Sequence, residues 1–203
     1  MTASARLLHT DIMTTKTAST TDSASRILDI AERRMRRVGY NAVSYRDIAS
    51  EMGIRSASLH YHFPKKEDLG VALVKRYGEN FRCRLEAETR ASSTPEDKLG
   101  SFVDLYRYAL IEQRLVCLCA VLGAEAPGLP TSVSAAVADF LDQNVAWLVD
   151  CYEEAGVKEA NHQATSTLAL LQGSMIISSV KNDVGVFNAA AMSVQENLSR
   201  LAA

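Results

Sequence analysis

Apolar residues recur every three or four positions along almost the whole of this 203-residue chain, and no alternating strand pattern persists beyond a few residues. That restricts the chain to an all-α fold. Ile27, Ile30, Ala31, Met35 and Val38 form a first stripe, capped by Asp22 or Ser23 and closed by Gly39. Ile48, Ala49 and Met52 form a short second one. A third short helix spans about 56–62 and stops at Pro64. The fourth carries Leu69, Leu73, Val74 and Tyr77. Pro95 opens the next, with Leu99, Phe102, Val103, Tyr106 and Leu110 on one face. After the break at 127–130, Thr131 or Ser132 caps a long helix that ends at Gly156. Two more follow, at about 161–182 and 186–201. The expectation is about nine helices.

Composition removes several classes. With 47% hydrophobic residues and a net charge of −2, the chain is too apolar and too weakly charged to be disordered throughout. Its longest apolar stretch, 167–180, is interrupted by Gln172, Gly173 and Ser174, short of the ~20 residues of a membrane span. Four cysteines, at 83, 117, 119 and 151, contain no C-x-x-C pair, which argues against structural zinc and for a reducing cytoplasm. No G-x-S-x-G, H-E-x-x-H, Walker A or G-x-G-x-x-G run is present, so no enzyme and no cofactor are expected. Residues 1–21, rich in Thr, Ser and Ala, read as a flexible N-terminal tail.

Residues 44–63 carry the strongest local signal. Ser44 followed by Asp47 is close to a capping box, and Gly53 supplies a left-handed turn between two short helices. Short helix, glycine turn, short helix is helix-turn-helix geometry. Ala49 is small where the pair must approach, and Ile48, Ile54, Leu59 and Phe63 can wedge it onto the first helix. The exposed face then holds Arg46, Arg55, Ser56, Ala57, Ser58, His60 and Tyr61.

The run from Tyr45 to Leu69 resembles the DNA-binding signature of TetR-family transcriptional regulators. Ser44, Ile48, Ala49, Gly53, Leu59, His62, Phe63, Lys66 and Leu69 stand at the family's positions. Two residues depart from it: His60 replaces a usual Tyr, and Arg55 replaces a usual Ser or Thr, leaving Ser56 to cap the third helix. The resemblance implies that Ser44, Arg46, Arg55, Ser56, Ala57, Ser58, His60, Tyr61, His62 and Lys66 face double-stranded DNA at a palindromic operator. Arg46 would reach a guanine edge; Tyr61, His62 and Lys66 would contact phosphates. Arg6 and Lys16 would form a minor-groove arm if the tail is more than a solvated one. Arg33, Arg34, Arg36 and Arg37 read as a solvated face.

The resemblance further implies a helical body that binds a small effector and forms a homodimer through its last two helices. Polar and aromatic residues on apolar helices give the candidate pocket: Tyr106, Tyr108, Glu112, Cys117, Cys119, Asn144, Trp147 and Gln172. The candidate dimer face is Leu168, Leu171, Gly173, Met175, Ile176, Phe187, Ala191, Val194 and Leu198. A thiol beside Arg114 suggests an alternative in which Cys117 or Cys119 senses oxidants or electrophiles. A helical interaction protein without DNA binding is the alternative of another class.

Charge is divided along the chain. Residues 22–82 carry 12 basic and 8 acidic side chains, whereas 83–203 carry 8 and 15. A basic head on an acidic body directs phosphate to one end. The expected organisation is a tail at 1–21, a three-helix DNA-binding domain at 22–68, and an effector-binding and dimerisation domain at 69–203. Its function would be that of a repressor released from its operator by a small molecule, with no metal and no membrane association.

Overall fold

The computed structural model describes residues 7–91 and 94–201, and side chains from residue 22 onward. Among the described residues there are nine α-helices and no strand: α1 (Leu7–Val38), α2 (Tyr45–Met52), α3 (Ser56–His62), α4 (Lys66–Thr89), α5 (Pro95–Ile111), α6 (Leu118–Ala124), α7 (Thr131–Glu154), α8 (Ala160–Lys181) and α9 (Gly185–Leu201). The break expected at 127–130 contains a single 3-10 turn, Ala126–Gly128.

Helix α1 runs back to Leu7, where the sequence suggested a tail up to residue 21. No Gly or Pro occurs before Gly39, so nothing in the chain breaks the backbone ladder once the downstream half is fixed. Arg6, half of the suggested minor-groove arm, lies outside the described residues, as does the rest of 1–6. Ile27, Ile30, Ala31 and Met35 are buried as expected, but Val38 is 57% exposed. The last turn of α1 reaches beyond the core, and Gly39 ends it with φ +84 and its N–H on the Met35 carbonyl.

Helices α1 to α3 form the head. Ile48, Ala49 and Leu59 are buried against α1; Ile54, expected to join them, is 38% exposed in the turn. Helix α4 belongs to both halves. Near its start, Gly70 lies so close to Tyr40 of the head and Val133 of α7 that an added Cβ would come within 2.9 Å of both side chains. Any larger residue there would force the Tyr40 or Val133 side chain to shift.

The body is built around aromatic rings. Phe81 of α4 meets Phe102, Tyr106 and Phe140 edge-on, and Trp147 stacks on Phe102 at 5.3 Å and 12°. Helices α7, α8 and α9 pack as successive neighbours. Their buried polar groups are partnered: the Tyr152 and Thr167 hydroxyls lie 2.7 Å apart, and Ser178 accepts the Phe187 N–H at 3.0 Å. Helix α7 begins after Pro130 rather than on a Thr131 or Ser132 cap, and no side chain caps it.

Two anchors join head to body. Arg36, read from sequence as part of a solvated face, is buried. Its Nε donates to the Val116 carbonyl at 2.8 Å, Nη1 to Gln113 at 3.0 Å and Glu32 at 3.2 Å, and Nη2 to the Leu115 carbonyl at 3.4 Å. Glu125, just after α6, accepts the Asn41 backbone N–H and side-chain amide, each at 3.1 Å. Both anchors flank α6, so the head is tied to the body through that short helix as well as through α4.

Candidate nucleic-acid interface

The two short helices are held by local chemistry that leaves one face open. Ser44 caps α2: its backbone N–H donates to Asp47 Oδ2 at 2.9 Å, and its hydroxyl accepts the Asp47 N–H at 3.3 Å. The Ser44 bonds hold the Asp47 carboxyl below its usual range, with lesser help from Arg34 and Arg46. The Ser44 hydroxyl is therefore committed to the cap, and its part at the interface is to orient the first turn of α2. Gly53 takes φ +70, the left-handed value that a turn between α2 and α3 needs.

Tyr45 fixes the far end of the motif. Its hydroxyl lies 2.7 Å from the Phe63 carbonyl and 2.6 Å from that of Lys65. Burial, then the nearby Asp68 and Tyr40, push this phenol up to about 12, so it remains a donor. His60 lies against the Tyr45 ring at 4.7 Å, and its Nδ1 is 3.1 Å from the Pro64 carbonyl. At this position, which departs from the family signature, His60 thus braces the end of α3. Glu51 takes Arg33 at 2.8 Å and Arg34 at 2.7 Å, clamping α2 to α1. Those bonds, Arg34's first, keep the Glu51 carboxyl below its usual range.

The remaining sequence candidates fall into two groups. Arg46, Arg55, Ala57, Ser58 and Tyr61 are exposed, Tyr61 by 74%, while Ser56 and His62 are half-buried at the edges of the same surface. No ion pair holds Arg46 or Arg55 among the described residues. Arg55 itself occupies the N-cap of α3 without a side-chain bond, and Ser56 is the first helical residue rather than the cap expected of it. Lys66 turns inward instead: Nζ sits 4.3 Å from the Tyr40 ring centroid and 3.4 Å from the Asn41 carbonyl. Burial lowers its pKa, against the pull of Glu125 and Asp47.

The body candidates separate similarly. A cavity of about 340 Å³ opens between α1, α4 and α5, and Tyr106 is the one sequence candidate lining it. Behind it, Gln172 Nε2 donates to the Tyr106 hydroxyl at 3.1 Å and to Cys117 Sγ at 3.5 Å. Burial pushes the Cys117 thiol up, but bonds from Cys119, Tyr77, the Ala120 N–H and Gln172 outweigh it and bring it to about 6. Burial and donation to Cys117 raise Cys119 well above its usual value. Neither effect comes from Arg114, the cation that sequence proximity suggested. Tyr108 and Glu112 are exposed and line no part of this cavity. Asn144 and Trp147 border a separate hollow of about 70 Å³ on the other side of Phe81.

Of the candidate dimer residues, Leu168, Leu171, Met175, Phe187, Ala191, Val194 and Leu198 are buried within the single chain and unavailable to a second copy. Gly173 and Ile176 remain accessible. Sequence reasoning missed Glu32, Arg36, Tyr77, Phe81, Arg84 and Gln113 at the cavity. A faint signal for Arg36 existed: Glu32 stands one turn before it, beside the buried stripe.

A compact three-helix head with a capped helix-turn-helix, joined to an all-helical body, is the architecture of a DNA-binding regulator. The family model described as bacterial regulatory proteins, tetR family, matches residues 27–73. The HTH-type transcriptional regulator LmrA of Bacillus subtilis (strain 168) is 31% identical over 83 residues, 40% of this chain. The chain spans 44% of that curated relative's length. Two solved structures match over most of both chains. A TetR transcriptional regulator from Legionella pneumophila gives a TM-score of 0.81 at 27% identity, covering 85% of this chain and 95% of its own. A TetR-family regulator from Agrobacterium tumefaciens gives 0.83 at 28%, covering 88% and 98%. Residues 27–73 thus match the DNA-binding domain of the tetR family, and the chain as a whole is similar to TetR-family transcriptional regulators. Among the described residues no helix is long and apolar enough to cross a membrane.

Proposed function

We propose that this chain is a dimeric, ligand-responsive repressor whose head, residues 22–68, holds a two-fold operator, and whose body, residues 69–203, senses a small molecule. The observation that carries the reading is the open face of α2 and α3. There, small residues at 56–58 let α3 approach the base edges, and Arg46 and Arg55 have no ion pair among the described residues. Bidentate contact from such an Arg to guanine is the commonest specific base contact, while Tyr61 and His62 are placed to position the backbone. Fluorescence anisotropy on a bound DNA tests it. Arg46→Ala is expected to lower affinity and relax the choice of sequence, by about 1–3 kcal/mol of discrimination at the contacted base. Retention of wild-type affinity and preference by both Arg46→Ala and Arg55→Ala would leave only an interaction protein.

The dimer surface follows from what the single chain leaves uncovered. Leu170, Gly173, Ile177 and Val180 recur at three- and four-residue spacing on the outer face of α8, and Val180 is 82% exposed. Val184 and Met192 continue the apolar patch toward α9. Two copies joined there would present two heads to half-sites about 34–36 Å apart. Ligand binding in the body would favour a state with the heads misplaced, and DNA would weaken that ligand equally.

The hydrogen-bonded Cys117 supports a second reading, a regulator answering to thiol chemistry. The thiolate is the reactive form, and four donors around one sulfur favour it. Labelling Cys117 to completion in native protein should then change operator affinity; unchanged affinity after full labelling removes this reading.

A further inference from the structure

We infer that the cavity between head and body takes an aromatic anion, and that this ligand touches the head directly through α1. The inference deepens the ligand-responsive reading and depends on it for the regulatory consequence, though not for binding itself.

The cavity, about 340 Å³, is in the size range of small-molecule sites. Its walls are aromatic: Tyr77 and Phe81 come from α4 and Tyr106 from α5, with Phe81 and Tyr106 5.4 Å apart. Buried Arg36 and Tyr106 form the floor, while exposed Cys83 and Arg84 mark the side open to solvent. Flat rings on several sides suit a flat aromatic ligand.

Charge decides the sign of the ligand. Among the described residues Glu32 is the one carboxylate in the wall, and it is already taken by Arg36 at 3.2 Å and Arg76 at 3.6 Å. Arg84 lies over the Tyr108 ring at 4.5 Å, and no carboxylate of the described residues pairs with it. Two guanidiniums therefore face one neutralised carboxylate, in a body that is otherwise acidic. A second cation would be desolvated against positive charge, whereas a carboxylate gains a partner at Arg84.

The link to the head is Arg36. It belongs to α1, lines the cavity, and holds Gln113 and the carbonyls of Leu115 and Val116. A ligand that presses on this guanidinium alters the bond between α1 and the 113–116 loop without acting along the length of α4. Glu32, one turn earlier on α1, shares the wall, so two head residues register occupancy.

Titration calorimetry on the full chain with 1-naphthoate, and with 1-naphthylmethylammonium as a cation of the same ring system, tests the inference. The expected result is one naphthoate per chain, bound at least tenfold more tightly than the cation. Arg84→Gln should weaken naphthoate about tenfold, and Ala109→Trp, which fills the cavity wall, should abolish binding. Bound naphthoate should also slow alkylation of Cys83 at the rim. Equal or tighter binding of the cation overturns the inference. So does naphthoate affinity that neither Arg84→Gln nor Ala109→Trp changes; the exposed Arg84 keeps the test valid if Ala109→Trp fails to fold. Anisotropy on operator DNA separates the two readings. Protein that takes naphthoate as described but holds no DNA supports the site and defeats the regulator. Protein that holds DNA but shows no saturable naphthoate binding overturns the site alone.

Discussion

Replacing Arg36 by Met removes the buried anchor between head and body while keeping an unbranched apolar stem of similar length. Four donor contacts disappear, of which those to Val116 at 2.8 Å and Gln113 at 3.0 Å are well within bonding range. A hydrogen bond from a charged donor contributes about 1.5–3 kcal/mol net, and a buried carbonyl left without a partner costs about 1–3 kcal/mol. Relief of the guanidinium's own burial offsets part of this. The expected loss is about 3 kcal/mol, a large fraction of the 5–15 kcal/mol typical of a folded domain. Urea unfolding measures it, with far-UV circular dichroism for the whole chain and the emission of Trp147, the sole tryptophan, for the body. At a slope of about 2 kcal/mol/M, the midpoint should fall by about 1.5 M. Arg36→Lys keeps the charge but not the fork that reaches four acceptors, and should lose about half as much. A midpoint within about 0.3 M of wild type for Arg36→Met would refute the anchoring role.

Three further outcomes follow from the geometry. Ser44→Ala should cost about 1 kcal/mol as a lost N-cap. Because the Ser44 bonds depress the Asp47 pKa, this stabilisation is present above the unfolded carboxyl range and fades as pH falls through the folded value; the variant's stability deficit should therefore shrink in acid. Gly53→Ala should cost about 1–2 kcal/mol through the left-handed backbone alone, since among the described residues beyond its chain neighbours nothing lies within 4 Å of an added Cβ, and thermal unfolding would register it. Val180→Asp should shift the chain toward monomer in sedimentation and weaken operator binding, whereas Leu171→Ala should destabilise the fold instead, because Leu171 is buried within one copy.

What was legible in the sequence is what is local. Ser44, Asp47, Gly53 and Leu59 act within a few residues of one another, so spacing alone placed the cap, the turn and the buried wedge. Arg36 and Glu125 act on residues about eighty positions away, and no periodicity reports such a partner. The dimer face is hard to read from sequence for another reason. Helix α8 carries apolar residues almost all round, so spacing cannot say which side the chain itself covers. Leu168, Leu171 and Met175 go inward, and Leu170, Ile177 and Val180 are left outside. For the pocket the sequence offers only residue type, and type does not separate Tyr106, at the cavity, from Tyr108, on the surface.

Selection of bound duplexes from a random DNA pool by the full chain, in parallel with Arg46→Ala/Arg55→Ala protein, bears most directly on the central claim that the open face of α2 and α3 reads an operator. The expected result is enrichment of a two-fold symmetric sequence with half-site centres about one helical turn, or a multiple of it, apart, and loss of that enrichment in the double variant. Absence of any enriched sequence, or the same sequence enriched equally by both proteins, would contradict it.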